Sequence, residues 1–409
     1  VTDLSDALPA FPMTRPTPFD PPPGYAAVRD AGGLARVRLW DGRTAWLVTN
    51  YEQVRSLLGD PRISVDRRRE GFPFPTPGRE ALERSGKTTF VGMDPPDHTR
   101  LRRVFTKYFA VKRIEALRPV VQRIVDDLVT DLLAAGPPAD FVAALAGEVP
   151  ARTICHVLGM PLADRARFQA LDHERNTLTT SPENVIRATN EMLAYADELI
   201  TRKQREPADD LVSRLVADQL GGDTISREEL VAAVRLLITA GHETTTNMIG
   251  LGIATLLRHP EQLRELRADP SLVPAAVEEL LRYISIFHIS PTRVVVEPID
   301  IAGQRLEAGD GGIAAVAGAN RDDAAFPDAA TFDLHREARH HVAFGYGVHQ
   351  CLGQPLARVE LQTVVETLGR RIPSLRFAGD PDALEIREYA FLSLAALPLT
   401  WDAAEGEGR

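Results

Sequence analysis

Cysteine is nearly missing from this chain: Cys155 and Cys351 are the two in 409 residues. So few exclude a disulfide framework in a protein of this size and suit a reducing compartment. Long apolar runs are missing too. No stretch offers the ~18 uninterrupted apolar residues of a spanning helix, so no membrane partner is expected. The opening, VTDLSDALPAFPMTRPTPFDPPPGY, lacks a basic segment followed by an apolar one. No signal peptide is therefore expected, and a soluble cytoplasmic protein is. Positive charge is in deficit, with 47 Lys and Arg against 57 Asp and Glu and a formal net charge of -10. Such a chain has no general attraction for phosphates, which argues against nucleic acid as a partner. The basic run Asp66-Arg67-Arg68-Arg69-Glu70 is short and flanked by acids, and reads as a solvated loop. Internal repeats, low-complexity tracts and an obvious linker are also absent.

What the chain does have is apolar sequence, 44% of it, enough for a large core. The Pro-rich opening reads as an extended arm. In RVRLWDGRTAWLVTN, Asp41-Gly42 between alternating segments predicts a hairpin. Helical spacing dominates from about Asp97. Ile114, Leu117, Val121, Ile124, Leu128 and Leu132 recur every three or four residues until Gly136-Pro137-Pro138, with a restart expected at Pro119. The segment from Ser226 to Pro260 is the clearest element. Ser226 and Glu229 make a capping box, and Ile225 with Leu230 a hydrophobic staple. A continuous helix there would span roughly 50 Å at ~1.5 Å per residue. Its second half, Met248 to Leu257, is apolar on nearly every face and belongs in the core. A helix over about 272–283, β-like stretches at 292–296 and 299–301, and a last helix from near Cys351 to about Arg371 complete the pattern. The expected class is mainly α with small β-sheets.

Midway along the central helix stands Ala240-Gly241-His242-Glu243-Thr244-Thr245. An interior glycine costs about 1 kcal/mol relative to alanine, and a buried Glu243 costs more unless paired, neutral or hydrated. One reading is a tolerated packing glycine with threonines bonding back to carbonyls. The other is an opened turn that leaves room for a ligand, with Glu243 and Thr244 handling protons. Both stay open on this segment alone.

The stretch HVAFGYGVHQCLGQPLARVELQ, 341–362, sets Cys351 among glycines, histidines and aromatics. Zinc wants about four ligands, and the spacing of His340, His341, His349 and Cys351 matches no zinc pattern. A nucleophile needs an aligned base, and His349 two residues away is poorly placed for that. Inert burial suits Cys155 in ARTICHVLGM. Cys351 differs because it precedes the last helix, whose free N–H groups and dipole favour a thiolate. Gly345, Gly347 and Gly353 clear side chains from the loop, and Phe344 is placed to shield the sulfur. A dry, charged sulfur with backbone donors suits a redox iron centre.

At this point the residues carry a resemblance. Phe344-Gly345-Tyr346-Gly347-Val348-His349-Gln350-Cys351-Leu352-Gly353 resembles the haem-binding loop of cytochrome P450 monooxygenases. Ala240-Gly241-His242-Glu243-Thr244-Thr245 is similar to that family's oxygen-binding helix, and Glu279-Leu280-Leu281-Arg282 to its Glu-x-x-Arg helix. Phe332-Asp333-Leu334-His335-Arg336 looks like the meander whose arginine joins that pair. The four come in the family's order, over essentially the whole chain, and look closest to soluble bacterial members of actinobacterial type.

The resemblance implies a single domain over 1–409, with 1–24 the extended arm and a long central helix over a buried haem. It implies haem b, iron protoporphyrin IX, with Cys351 as axial ligand. Ala240, Gly241, Phe344, Gly345 and Gly353 would lie against it. His98, Arg102, Arg293 and His349 would hold its propionates. Glu243 and Thr244 would deliver protons, and Glu279, Arg282 and Arg336 would be structural. Leu237, Ile289 and Phe391, with the stretches 75–91 and 171–186, would line a pocket for a small apolar organic substrate. His288 reads as an exposed loop residue, and His341 has no role. O2 would supply one oxygen atom to a C–H or C=C bond. Electrons would come from a ferredoxin and its reductase, docking near Lys107, Lys112, Arg113 and Arg358 on a monomer. The implied role is tailoring of a macrolide, other polyketide or terpenoid, with broad xenobiotic oxidation or a non-oxygenating haem sensor as alternatives.

Overall fold

The computed structural model describes residues 8–86, 88–220, 225–289, 291–387 and 389–402. A five-stranded sheet lies to one side of a helical body. Its strands are β1 (Leu34–Arg38), β2 (Thr44–Val48), β3 (Ile63–Ser64), β4 (Thr292–Val295) and β5 (Gly311–Ala314). The order is β1-β2-β5-β4-β3, with β2 and β5 parallel and the other pairs antiparallel. The β1–β2 hairpin turns at Asp41-Gly42 as expected.

The helices that position the site are α1 (Tyr51–Gly59), α2 (Pro77–Arg84), α3 (Asp97–Thr106), α4 (Arg118–Ala135), α5 (Glu148–Leu158), α6 (Arg165–Asn176), α7 (Pro182–Arg205), α8 (Arg227–Ala240), α9 (Glu243–Arg258), α10 (Val273–Ile284) and α11 (Gln354–Arg371). Proline opens α4, and Gly136 caps its end. The Ser226–Glu229 capping box starts α8, and Ile225 and Leu230 are both buried beside it. Among the described residues no helix is long and apolar enough to cross a membrane.

The expected continuous central helix is instead two. α8 ends at Ala240 and α9 begins at Glu243, with Gly241 and His242 between them. Packing explains the break. A Cβ on Gly241 would come within 2.8 Å of Ile154 Cδ1 on α5, so any other residue there would make the Ile154 side chain shift. Beyond the break, every α9 residue from Thr245 to Leu256 is buried. The helix therefore runs through the largest apolar core, together with α4, α5, α10 and α11.

The basic run at 66–70 is only partly the solvated loop expected. Arg68 is exposed and pairs with Asp66 at 2.8 Å. Arg67 turns inward instead, to 3.7 Å from the buried Glu83 of α2.

Candidate functional site

The loop before α11 builds the floor of a cleft. Its backbone is set by two left-handed glycines, Gly345 and Gly347, each with φ +74°. Gly347 also sits against α1, where a Cβ would lie 3.1 Å from Gly59 Cα and Leu58 O. So this glycine serves the packing of loop on helix, and neither Gly345 nor Gly347 faces the cleft. Gly353 does. The Cys351 N–H donates to Phe344 O at 2.8 Å, closing the loop with the sulfur turned into the cleft. Burial pushes this thiol up, although the Gly353 and Gln354 N–H groups and Arg102 oppose it. Helix placement alone does not make it a thiolate, contrary to the sequence argument. A cation facing the sulfur has to supply the rest.

The cleft and the open solvent at its mouth together hold about 1220 Å³ free of protein atoms. Leu237, Ala240, Gly241 and Thr244 form one wall, at the α8–α9 break, while Phe344, His349, Cys351 and Gly353 lie opposite. Phe344 is beside the sulfur, with the Arg358 guanidinium 4.7 Å from its ring centre.

Along one edge gather polar groups that the protein leaves without partners. His98 on α3 is 1% exposed, and neither ring nitrogen has a hydrogen bond. Its ring lies 4.1 Å from that of His349, whose Nδ1 is equally unpartnered. Burial, then His98, Arg293 and Arg102, push His349 down to about 3. Arg102 donates to Gln350 O at 2.5 Å. Arg293 on β4 is 8% exposed, reaches only its neighbour's carbonyl Thr292 O, and is pulled by burial to about 10. Asp94 is close by but already accepts from Ser64 Oγ and the Val65 N–H. Buried donors with no partner mark a missing acceptor. A flat group carrying carboxylates at this edge and a metal over Cys351 fits the residues present, as a haem does.

On the far wall Thr244 Oγ1 donates to Ala240 O at 3.1 Å. Glu243 is buried behind that wall, not in it. It faces His242, with Nδ1 to Oε2 3.6 Å, and Asp172 of α6. Burial, then Asp172, push Glu243 up to about 7. Asp172 accepts from Arg175 at 2.8 Å and from Asn176 at 3.0 Å. With a guanidinium already on Asp172, the trio suits proton exchange better than a metal ion. The sequence argument missed His242, Asp172 and Tyr389, which sits beside Glu243. Only His242 carried a signal, by its place in the flawed turn.

Several expectations about the pocket need correction. Leu237 lines the cleft, but Ile289 and Phe391 do not; Ile286 and Phe287 take that wall. Phe391 stacks behind, 5.9 Å from the Phe287 ring. Ser285 adopts a left-handed φ of +46°, which turns the next two residues toward the cleft. Among the described residues of 75–91 only Phe90 and Val91 reach it, and nothing from 171–186 does. His288 is half-buried with Nδ1 unpartnered, and burial pulls it down to about 4. Lys107 pairs with Asp218 and Arg358 with Glu278, both at 2.6 Å, so neither is a free docking cation. His341 gains a place, 3.3 Å from Glu278. The expected ionic triad is present: Arg282 forks onto Glu279 at 2.6 and 2.7 Å, and Arg336 reaches the same carboxylate at 3.3 Å.

A family model described as Cytochrome P450 matches residues 160–371. The chain is 47% identical over 402 residues to a vitamin D3 dihydroxylase of Streptomyces griseolus, covering 98% of each. It is 45% identical over 395 residues to a pentalenic acid synthase of Streptomyces avermitilis, covering 96% of this chain and 97% of that one. Among solved structures, the mycinamicin VIII C21 methyl hydroxylase of Micromonospora griseorubida, bound to mycinamicin VIII, is similar with a TM-score of 0.91. Identity there is 40%, over 96% of this chain and all of that one.

Proposed function

The chain belongs to the cytochrome P450 family of haem-iron monooxygenases, and on that premise we propose that it tailors an apolar natural product by hydroxylation or epoxidation. The observation that carries the site assignment is the pair of histidines, His98 and His349, whose buried ring nitrogens lack partners at one edge of a cleft floored by Cys351. The names of its relatives support the substrate class, since they describe vitamin D3 dihydroxylation, pentalenic acid synthesis and a methyl hydroxylation of mycinamicin VIII. An apolar lining suits molecules of that kind.

Bound haem b supplies the redox chemistry, in which thiolate donation favours O–O cleavage and one O2-derived atom enters the substrate. The chain supplies the rest. Cys351 Sγ would hold the iron, whose charge would offset the burial penalty on the sulfur. His98, Arg102, Arg293 and His349 would take the two propionates, which satisfies the unpartnered nitrogens of His98 and His349 and gives the two arginines a counter-charge. Ala240 and Gly241 keep the wall thin where oxygen must fit. The Thr244 hydroxyl holds a proton or a water at the cleft face. Glu243, poised near 7, both releases and recovers protons at neutral pH, passing them among His242 and Asp172. Glu279, Arg282 and Arg336 keep the cysteine side rigid. Electrons come from a ferredoxin and its reductase, in the cytoplasm, to a monomer; Lys112 and Arg113 are the docking cations that remain.

The test is the spectrum of the reduced protein with carbon monoxide. A thiolate-type Soret band that disappears in Cys351→Ala is expected. A purified protein that holds no haem, or a band that survives the substitution, overturns the assignment.

A further inference from the structure

Four arginines from four separate elements lie near enough to repel one another, behind the cleft wall rather than in it. Arg67 comes from the loop after β3, Arg79 from α2, Arg175 from the end of α6 and Arg235 from α8. Two acids meet them among the described residues. Glu83 is 3.7 Å from Arg67, and Asp172 is 2.8 Å from Arg175. Arg79 has only the neutral Asn176 Oδ1, at 2.8 Å. Arg235 is 6% exposed with Nε unpartnered, and Arg175 Nε is buried without a partner as well.

The cluster is tied to the reaction site at both ends. Asp172 links it to His242 and Glu243 at the α8–α9 break, where Thr244 enters the cleft wall. Phe90 is shared between the cleft and the neighbouring chamber that Arg235 borders. At the other end Arg67 acts on Arg293 at the haem edge.

A buried guanidinium without a counter-charge, as at Arg235, is unfavourable, and a fork of N–H groups matches a carboxylate better than any neutral ligand. Burial and mutual repulsion pull Arg79 and Arg235 down to about 9, which still leaves both cationic at neutral pH. The haem propionates do not absorb this charge, because Arg102, Arg293, His98 and His349 already face that edge.

We propose that Arg67, Arg79, Arg175 and Arg235 form an anion-binding subsite, and that the substrate is an apolar molecule bearing a carboxylate away from the carbon that is oxidised. This rests on the monooxygenase reading and narrows its substrate. The apolar cleft holds the carbon skeleton over the iron, and the arginines fix which end points inward.

The test uses the holoenzyme and two matched pairs, abietate with methyl abietate and dodecanoate with methyl dodecanoate. Dissociation constants are measured by equilibrium dialysis. An acid is expected to bind at least about tenfold more tightly than its ester, about 1.4 kcal/mol or more. The preference should shrink in Arg79→Gln and again in Arg235→Gln, while ester affinity changes little. Arg79 is only half-buried, so its variant tests the idea even where Arg235→Gln folds poorly. Acids that bind no better than esters, or a preference unchanged in both variants, overturn the proposal. The carbon monoxide spectrum of the same samples separates the two readings. A normal thiolate band with no acid preference refutes the subsite alone, while a missing band refutes the haem-thiolate assignment.

Discussion

Replacing Arg282 by lysine keeps its charge and removes its fork. Arg282 is wholly buried and makes five bonds. Nε and Nη2 donate to the two Glu279 oxygens at 2.7 and 2.6 Å. Nη1 donates to Asn320 O at 2.7 Å and Ala329 O at 2.8 Å, and Nη2 also to Thr331 O at 3.1 Å. A lysine ammonium has three donors on one atom and cannot span Glu279 and three carbonyls from separate segments. At least two buried carbonyls lose their partner, at about 1–3 kcal/mol each. Glu279 keeps Arg336 and the Asp333 N–H, so its charge is not abandoned. The expected loss is therefore roughly 3–5 kcal/mol, a large share of a typical total of about 5–15 kcal/mol. The damage should spread toward the cysteine loop, because Asn320 also accepts from the Val342 N–H at 2.9 Å. Urea unfolding of the holoenzyme, followed by far-UV circular dichroism and haem absorbance together, measures both effects. A lysine variant within about 1 kcal/mol of the parent, with its haem band intact, would refute the argument that fork geometry rather than charge holds this face together.

Thr244→Ala should retain haem and substrate binding but yield less product per reductant consumed, since the cleft-wall hydroxyl is gone; undiminished coupling would sink its assignment. Glu360 is buried with Oε1 unpartnered, and burial raises it to about 8 despite the Thr153 hydroxyl. Its unfolded value is about 4.3, so the neutral fold loses stability progressively from there up to about pH 8, by roughly 5 kcal/mol in all. Glu360→Gln should therefore gain on the parent as pH rises through that window, and parallel melting curves from pH 5 to 8 would contradict it. Gly347→Ala forces a side chain into a left-handed position against α1, so about 1–2 kcal/mol or more should be lost; an unchanged urea midpoint would show the loop is not held there.

Much of the fold was legible because its signals are local. Asp41-Gly42, Pro119, the Ser226–Glu229 box and the Cys351 loop each announce themselves within a few residues. The helix break was half legible: Gly241 flagged a weakness, but the reason for it, Ile154, stands on another helix. The pocket wall was misplaced by three residues because one left-handed serine, Ser285, resets which side chains face inward. Arg67 looked like surface because its partner, Glu83, is on α2 and invisible at the level of a charge run. His341 and Glu278, 63 positions apart in the chain, are the same kind of case.

The acidic composition shows how far a bulk property reaches. A net charge of -10 is a statement about the outer field, and it fairly disfavours nucleic acid. It says nothing of the sign inside a cleft. Arg67, Arg79, Arg102, Arg175, Arg235 and Arg293 stand around the reaction site of this acidic chain, five of them reduced in basicity with burial as the leading cause. Groups held at that expense need anions to answer them. Two propionates account for the haem edge; in the cluster between α2, α6 and α8, Glu83 and Asp172 pair with Arg67 and Arg175, and among the described residues Arg79 and Arg235 form no ion pair. If a carboxylate-bearing substrate is what neutralises it, then binding should be weakened little by moderate salt, since buried pairs are screened far less than exposed ones. A steep salt dependence of acid binding would instead place the contact on the surface, and would separate the arginine cluster from the chemistry of the cleft.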